Sequence, residues 1–122
     1  MFQIPEDPTP LQITKLLSVC SNQLARLAEL VATYKSDVAI KTTVYKRAEA
    51  KAKVKYQGSG KVDIVRAMVE LDSDVVTSLD ELNVALASYE LAKGELEGYD
   101  AHFTALRKMA ELRKVEMRTG CG

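Results

Sequence analysis

An apolar side chain at every seventh position limits what this chain can fold into more than any other feature. Leu17, Leu24, Val31, Val38, Tyr45 and Ala52 keep that interval without a miss, and no Gly or Pro interrupts residues 11–57. Seven residues are nearly two helical turns, so these side chains form one stripe on one face. Cys20, Leu27, Ala28, Tyr34 and Ala48 widen it. The spacing predicts one helix over 11–57, roughly 70 Å long at 1.5 Å per residue.

A second stripe of the same period follows: Met68, Val75, Leu82, Tyr89, Leu96, Phe103, Ala110 and Met117, flanked by Leu71, Leu79, Ala85, Leu86, Ala92, Tyr99 and Leu106. It keeps phase from Met68 through Leu82, which predicts one continuous helix over 62–118. The alternative is a kink in the 70s. Asp72-Ser73-Asp74 is rich in capping residues, and Ser78-Leu-Asp-Glu81 has the form of a capping box. Gly94 and Gly98 weaken a helix or let another helix come close. Thr119-Gly120 should end it, leaving 119–122 as a tail. Between the stripes, Gln57-Gly58-Ser59-Gly60 is the strong breaker, with Gly58 suited to a left-handed helix end. Residues 1–10 hold all three prolines and should be an extended arm, with Thr9 as cap and Pro10 at the first helical position.

The fold class is therefore all-α: a long antiparallel, coiled-coil-like helical hairpin, with 11–118 as one domain and a turn at 58–60. Two helices can cover only one side of each other, and these stripes are wider than a narrow seam. The remaining apolar surface implies other copies of the chain in a homo-oligomeric helical bundle; a hairpin folded back as three helices is the alternative. The expected packing and oligomer residues are Leu17, Leu24, Val31, Val38, Tyr45, Met68, Val75, Leu82, Tyr89, Leu96 and Phe103.

Charge supports the antiparallel pairing. The chain has 17 basic and 17 acidic side chains, unevenly placed. Residues 41–61 carry Lys41, Lys46, Arg47, Lys51, Lys53, Lys55 and Lys61 against Glu49 alone, while 63–100 are acidic apart from Arg66 and Lys93. Folding at 58–60 sets residue i opposite about 118 minus i. Basic 41–55 then faces Asp63, Glu70, Asp72 and Asp74, and Arg107, Lys108, Arg113 and Lys114 return toward Glu6 and Asp7. Both matches have the sign an antiparallel pair requires.

The chemistry-bearing residues are few. His102 is the only histidine, and Glu95 with Glu97, or Asp72 with Asp74, diverge on a helix. Gly58-Ser59-Gly60-Lys61 lacks the spacing of a phosphate loop and fits a turn. Cys20 lies on the apolar side of its helix, and Cys121 reads as an exposed tail thiol; neither belongs to a redox or metal pair. The expectation is a protein without catalytic residues, cofactor, metal site or small-molecule substrate. The N-terminus lacks the form of a signal peptide and no apolar run is long enough for a membrane span, so a cytoplasmic protein is expected. Tyr34, Tyr45, Tyr89 and Tyr99 lie on or beside the stripes, as bundle residues with polar rims do.

The basic stretch is the one segment suited to a polyanion. Lys41, Lys46, Arg47, Lys51, Lys53, Lys55 and Lys61, with Tyr45 and Tyr56, could contact phosphates and stack on bases. The competing account is that they flank the seam and pair with the acidic segment. The leading expectation is thus an interaction or assembly protein binding itself and a further protein; nucleic-acid binding is the alternative.

Tyr89-Glu-Leu-Ala-Lys-Gly-Glu-Leu-Glu-Gly-Tyr99 and Leu106-Arg-Lys-Met-Ala-Glu-Leu112 resemble the tails of small helical accessory proteins encoded by bacteriophages and prophages. The likeness covers about a third of the chain and rests on helical rhythm. It implies an accessory or host-interference factor in a bacterial cytoplasm, binding a protein or, in recombination or replication, nucleic acid.

Overall fold

The computed structural model describes residues 4–118, with side chains through Glu116. Three helices follow one another: α1, Pro10–Tyr56; α2, Val62–Leu71; α3, Ser73–Arg118. There is no strand among the described residues. The chain is an all-α helical hairpin, as the seven-residue rhythm implies. No helix of the described residues is long and apolar enough to cross a membrane. Residues 1–3 of the expected arm, the Met117 side chain, the helix stop at Thr119-Gly120 and the Cys121 tail lie outside the described residues.

Helix α1 starts where its capping residues require. The backbone N–H of Gln12 donates to Thr9 Oγ1 at 3.2 Å, and the N–H of Thr9 donates to Gln12 Oε1 at 2.8 Å. This is a reciprocal capping box with Pro10 at the first helical position. The helix ends at Tyr56, and Gly58 takes a φ of 80°, the left-handed conformation expected of it. Lys53 and Lys55 in the last turn suit the negative end of the helix dipole.

The continuous helix expected over 62–118 is interrupted at Asp72. That residue is extended, with φ −59° and ψ 132°. Its Oδ1 accepts from the backbone N–H groups of Asp74 at 3.0 Å and Val75 at 3.4 Å. Helix propagation loses here because a short carboxylate captures the free N–H groups of the following turn. The apolar stripe could not reveal this, since it passes through the break in phase. Ser78, the other capping candidate, lies inside α3, where its hydroxyl donates to Val75 O at 3.1 Å. Leu71 is exposed because the inward place falls to Asp72.

The chain groups into two compact units, Met1–Leu30 with Ala92–Gly122, and Val31–Leu91. In the first, Ile13, Cys20 and Leu27 of α1 and Ala92 and Leu106 of α3 are buried. Leu17 and Leu24, the expected centre of the α1 stripe, are half-buried beside that row. The two rows alternate at spacings of three and four, and the more deeply buried one lies one row over from Leu17 and Leu24. The Cys20 thiol donates to Tyr99 O at 3.2 Å. Pro8 is buried, and Arg113 Nη2 holds the arm by donating to Asp7 Oδ1 at 2.6 Å and to Pro8 O at 3.2 Å. The return of Arg113 to Asp7 has the pairing that charge alone suggested.

The second unit is a hairpin made of the C-terminal half of α1, the turn, α2 and the start of α3. Its core is Ala52, Val69 and Val75, with Tyr45, Ala48 and Tyr56 packed against it. Leu82 and Ala85 are also buried. Val31, Val38, Met68 and Tyr89 are half-buried, as are Leu96 and Phe103 in the other unit. Ion pairs of Lys41 with Glu81 and of Lys55 with Asp72 mark the register, four and nine residues beyond the partners at 77 and 63 that the 118-minus-i rule expects.

Candidate functional site

Residues every seventh place from Ile13 run Cys20, Leu27, Tyr34, Lys41, Ala48 and Lys55. This inner row of α1 is apolar early and polar late. Lys41 and Lys55 therefore emerge beside the seam and meet carboxylates, at 3.7 Å from Glu81 and 3.6 Å from Asp72. Lys55 Nζ also lies 5.1 Å from the centre of the Tyr56 ring. Lys46, Arg47, Lys51, Lys53 and Lys61 are exposed and make no ion pair among the described residues. Pairing with the acidic segment thus accounts for two of the seven cations. Five are left to solvent, a result of helical angle rather than of charge.

Asp72 is the most constrained polar group of this unit, at 8% exposure. Tyr56 Oη donates to its Oδ2 at 2.9 Å while Oδ1 caps α3. The Tyr56 hydrogen bond is the main reason its carboxyl stays below the ordinary range. Burial opposes the shift; the N–H groups of Val75 and Asp74 and the charge of Lys55 add to it. Tyr45, half-buried nearby, is pushed up by burial first and by Glu49 and Glu70 next.

Two grooves in this unit meet at Glu81. One, of about 430 Å³, is lined by Val44, Arg47, Lys51 and Lys55 on α1 and by Asp72, Asp74, Thr77 and Glu81 across from them. The other, of about 400 Å³, is lined by Tyr34, Asp37, Lys41, Asp80, Glu81 and Val84. Both are open to solvent; the first has a basic wall on α1, with Arg47, Lys51 and Lys55, facing acidic Asp72, Asp74 and Glu81, whereas the α1 wall of the second pairs Asp37 with Lys41. Such a surface suits an elongated partner better than a small molecule.

Beside the grooves, Ile40, Val44 and Val54 on α1 and Val84 and Leu91 on α3 are exposed. The sequence reading overlooked this second apolar row. Its signal was present as the spacing 40, 44, 47, 51, 54, alternately four and three, but two of the five positions are cations.

The remaining candidates do not converge on chemistry. His102 packs edge-on to Tyr99 with ring centroids 6.4 Å apart. The Cys20 thiol is pushed up by burial first and by Asp100 next, the direction opposite to that of an activated cysteine. Among the described residues no three His, Cys, Asp or Glu side chains are placed to hold a metal ion. A Cβ added at Gly94 or Gly98 would meet nothing within 4 Å, so neither glycine serves a close approach within the described chain. Comparison of the chain with family models, with curated proteins and with solved structures finds no match.

Proposed function

We propose that this chain is a non-catalytic helical interaction protein whose primary partner is a further copy of itself. One observation carries this reading. In the unit Val31–Leu91, Ile40, Val44, Val54, Val62, Ile64, Leu71, Val76, Leu79, Val84, Leu86 and Leu91 are exposed, while the buried apolar residues are Ala52, Val69, Val75, Leu82 and Ala85. A unit that exposes more large aliphatic side chains than it buries gains by covering them, at about 25 cal/mol per Å² removed from water. Light scattering coupled to size exclusion tests it: a dimer or larger species at micromolar concentration is expected, and a monomer overturns it. The bacteriophage accessory role, with a protein target in a bacterial cytoplasm, goes with this reading and rests on the rhythm of residues 89–112.

Nucleic-acid binding is the second reading, favoured by the five unpaired cations. Lys46 and Lys53, one helical face apart from the grooves, are the residues to test. A mobility shift at low salt that weakens steeply as salt rises, and that Lys46→Glu with Lys53→Glu reduces, supports it. No shift with single- or double-stranded DNA or RNA removes it.

A further inference from the structure

The face that carries the grooves combines two properties within one unit. It exposes Val54, Val84 and Leu91 at 73%, 67% and 68%. It also separates charge laterally: Arg47 and Lys51 stand on α1, and Asp74 and Glu81 on α3. Within one copy Arg47, Lys51 and Asp74 form no ion pair among the described residues, although they line the same groove. The Lys41–Glu81 and Lys55–Asp72 pairs bracket Arg47 and Lys51, which places these two cations level with Asp74 and Thr77.

We propose that this face is the interface of a two-fold dimer, with α1 of each copy lying over α3 of the other and both turns at the same end. The proposal rests on the self-assembly reading above and adds the face, the symmetry and the orientation. A two-fold axis parallel to the helices sends the basic wall of one copy onto the acidic wall of its partner at the same height. The Arg47–Lys51 segment then faces Asp74 twice, once in each direction, and the aliphatic residues close on one another as a four-helix bundle. A two-fold axis across the helices sets α1 on α1 and opposes cation with cation. Like charges in apposition disfavour that arrangement. A protein partner of unrelated sequence has no reason to match both walls at once, whereas a second copy matches them by symmetry.

Charge reversal tests the arrangement, read as dimer dissociation constants by analytical ultracentrifugation. Lys51→Glu alone and Asp74→Lys alone should each weaken the dimer on the order of tenfold or more. The double variant K51E/D74K restores complementarity in one chain and should dimerise like the parent. An equimolar mixture of the two single variants should form a heterodimer more readily than either forms a homodimer. Both side chains are exposed and unpaired within one copy, so circular dichroism should show unchanged helix in every variant. A dimeric parent whose single variants dimerise equally well, or whose double variant stays weakened, overturns this interface and leaves self-assembly standing. A monomeric parent overturns both.

Discussion

The hydroxyl of Tyr56, the last residue of α1, donates a 2.9 Å hydrogen bond to Oδ2 of Asp72, the residue that separates α2 from α3. The other carboxylate oxygen of Asp72 caps α3. One side chain therefore both breaks the returning helix and ties the break to the outgoing one. Lys55 stands beside the pair. The turn is held at its base by this contact, and the glycines above it carry no such load.

Tyr56→Phe keeps the ring against the cluster of Ala52, Val69 and Val75 and removes only the donor. It should lower stability by about 1–2 kcal/mol, the usual cost of losing a hydrogen bond to a charged acceptor. Thermal unfolding followed by circular dichroism checks it. An unchanged midpoint would show that the bond contributes nothing net.

Acid should loosen this end of the molecule. The Asp72 carboxyl is held below its ordinary value of 3.8, so its contribution to stability is present above that value and is lost as pH falls through the lower, folded value. Following the Asp72 carboxyl by NMR should show titration below pH 3.8 in the parent. In Tyr56→Phe it should move upward, because the largest cause of the depression is gone.

Leu27→Ala should cost about 2–5 kcal/mol, since Leu27 is almost fully buried. Leu17→Ala, in the adjoining half-buried row, should cost clearly less. Denaturant unfolding of both variants checks the seam. Equal losses would put the centre between the two rows.

Cys20 should resist alkylation in the folded protein. Its thiol is buried, bonded to Tyr99 O and pushed up by burial and Asp100. In a Cys121→Ser background, so that one thiol is read, labelling by a thiol reagent should be slow in buffer and fast in denaturant. Rapid labelling in buffer would contradict this packing.

Gly58→Ala should destabilise by about 1 kcal/mol, because a φ of 80° is strained for any residue with a Cβ. No neighbour obstructs the added methyl, so the cost is conformational. Thermal unfolding measures it, and a neutral outcome would mean that the turn relaxes.

Much of the fold was legible in the residues. Thr9 and Pro10 gave the start of α1, Gly58 its end, and the seven-residue rhythm both helical stretches. The return of Arg113 to Asp7 followed from opposite charges at corresponding places. The break at Asp72 was less accessible. Capping residues occur at 72–74 and again at 78, and nothing local chooses between them; Tyr56, sixteen residues earlier, does. The proposed interaction face was harder still, because a row of Ile40, Val44 and Val54 interleaved with Arg47 and Lys51 reads as solvated surface until α3 sets Asp74 and Val84 beside it.

Period and chemistry within one segment belong to the sequence alone: two amphipathic stripes, a glycine turn, a proline-capped start and an uneven charge distribution fix an all-helical hairpin. Tertiary structure decided which of two adjoining rows is the more deeply buried, which carboxylate breaks the returning helix, and which two of the seven cations find an acidic partner among the described residues. The physical reason is reach. Hydrophobic rhythm and capping act over a turn or two of helix, whereas hydrogen bonds and ion pairs between α1 and the returning chain depend on a register set by every residue packed between them.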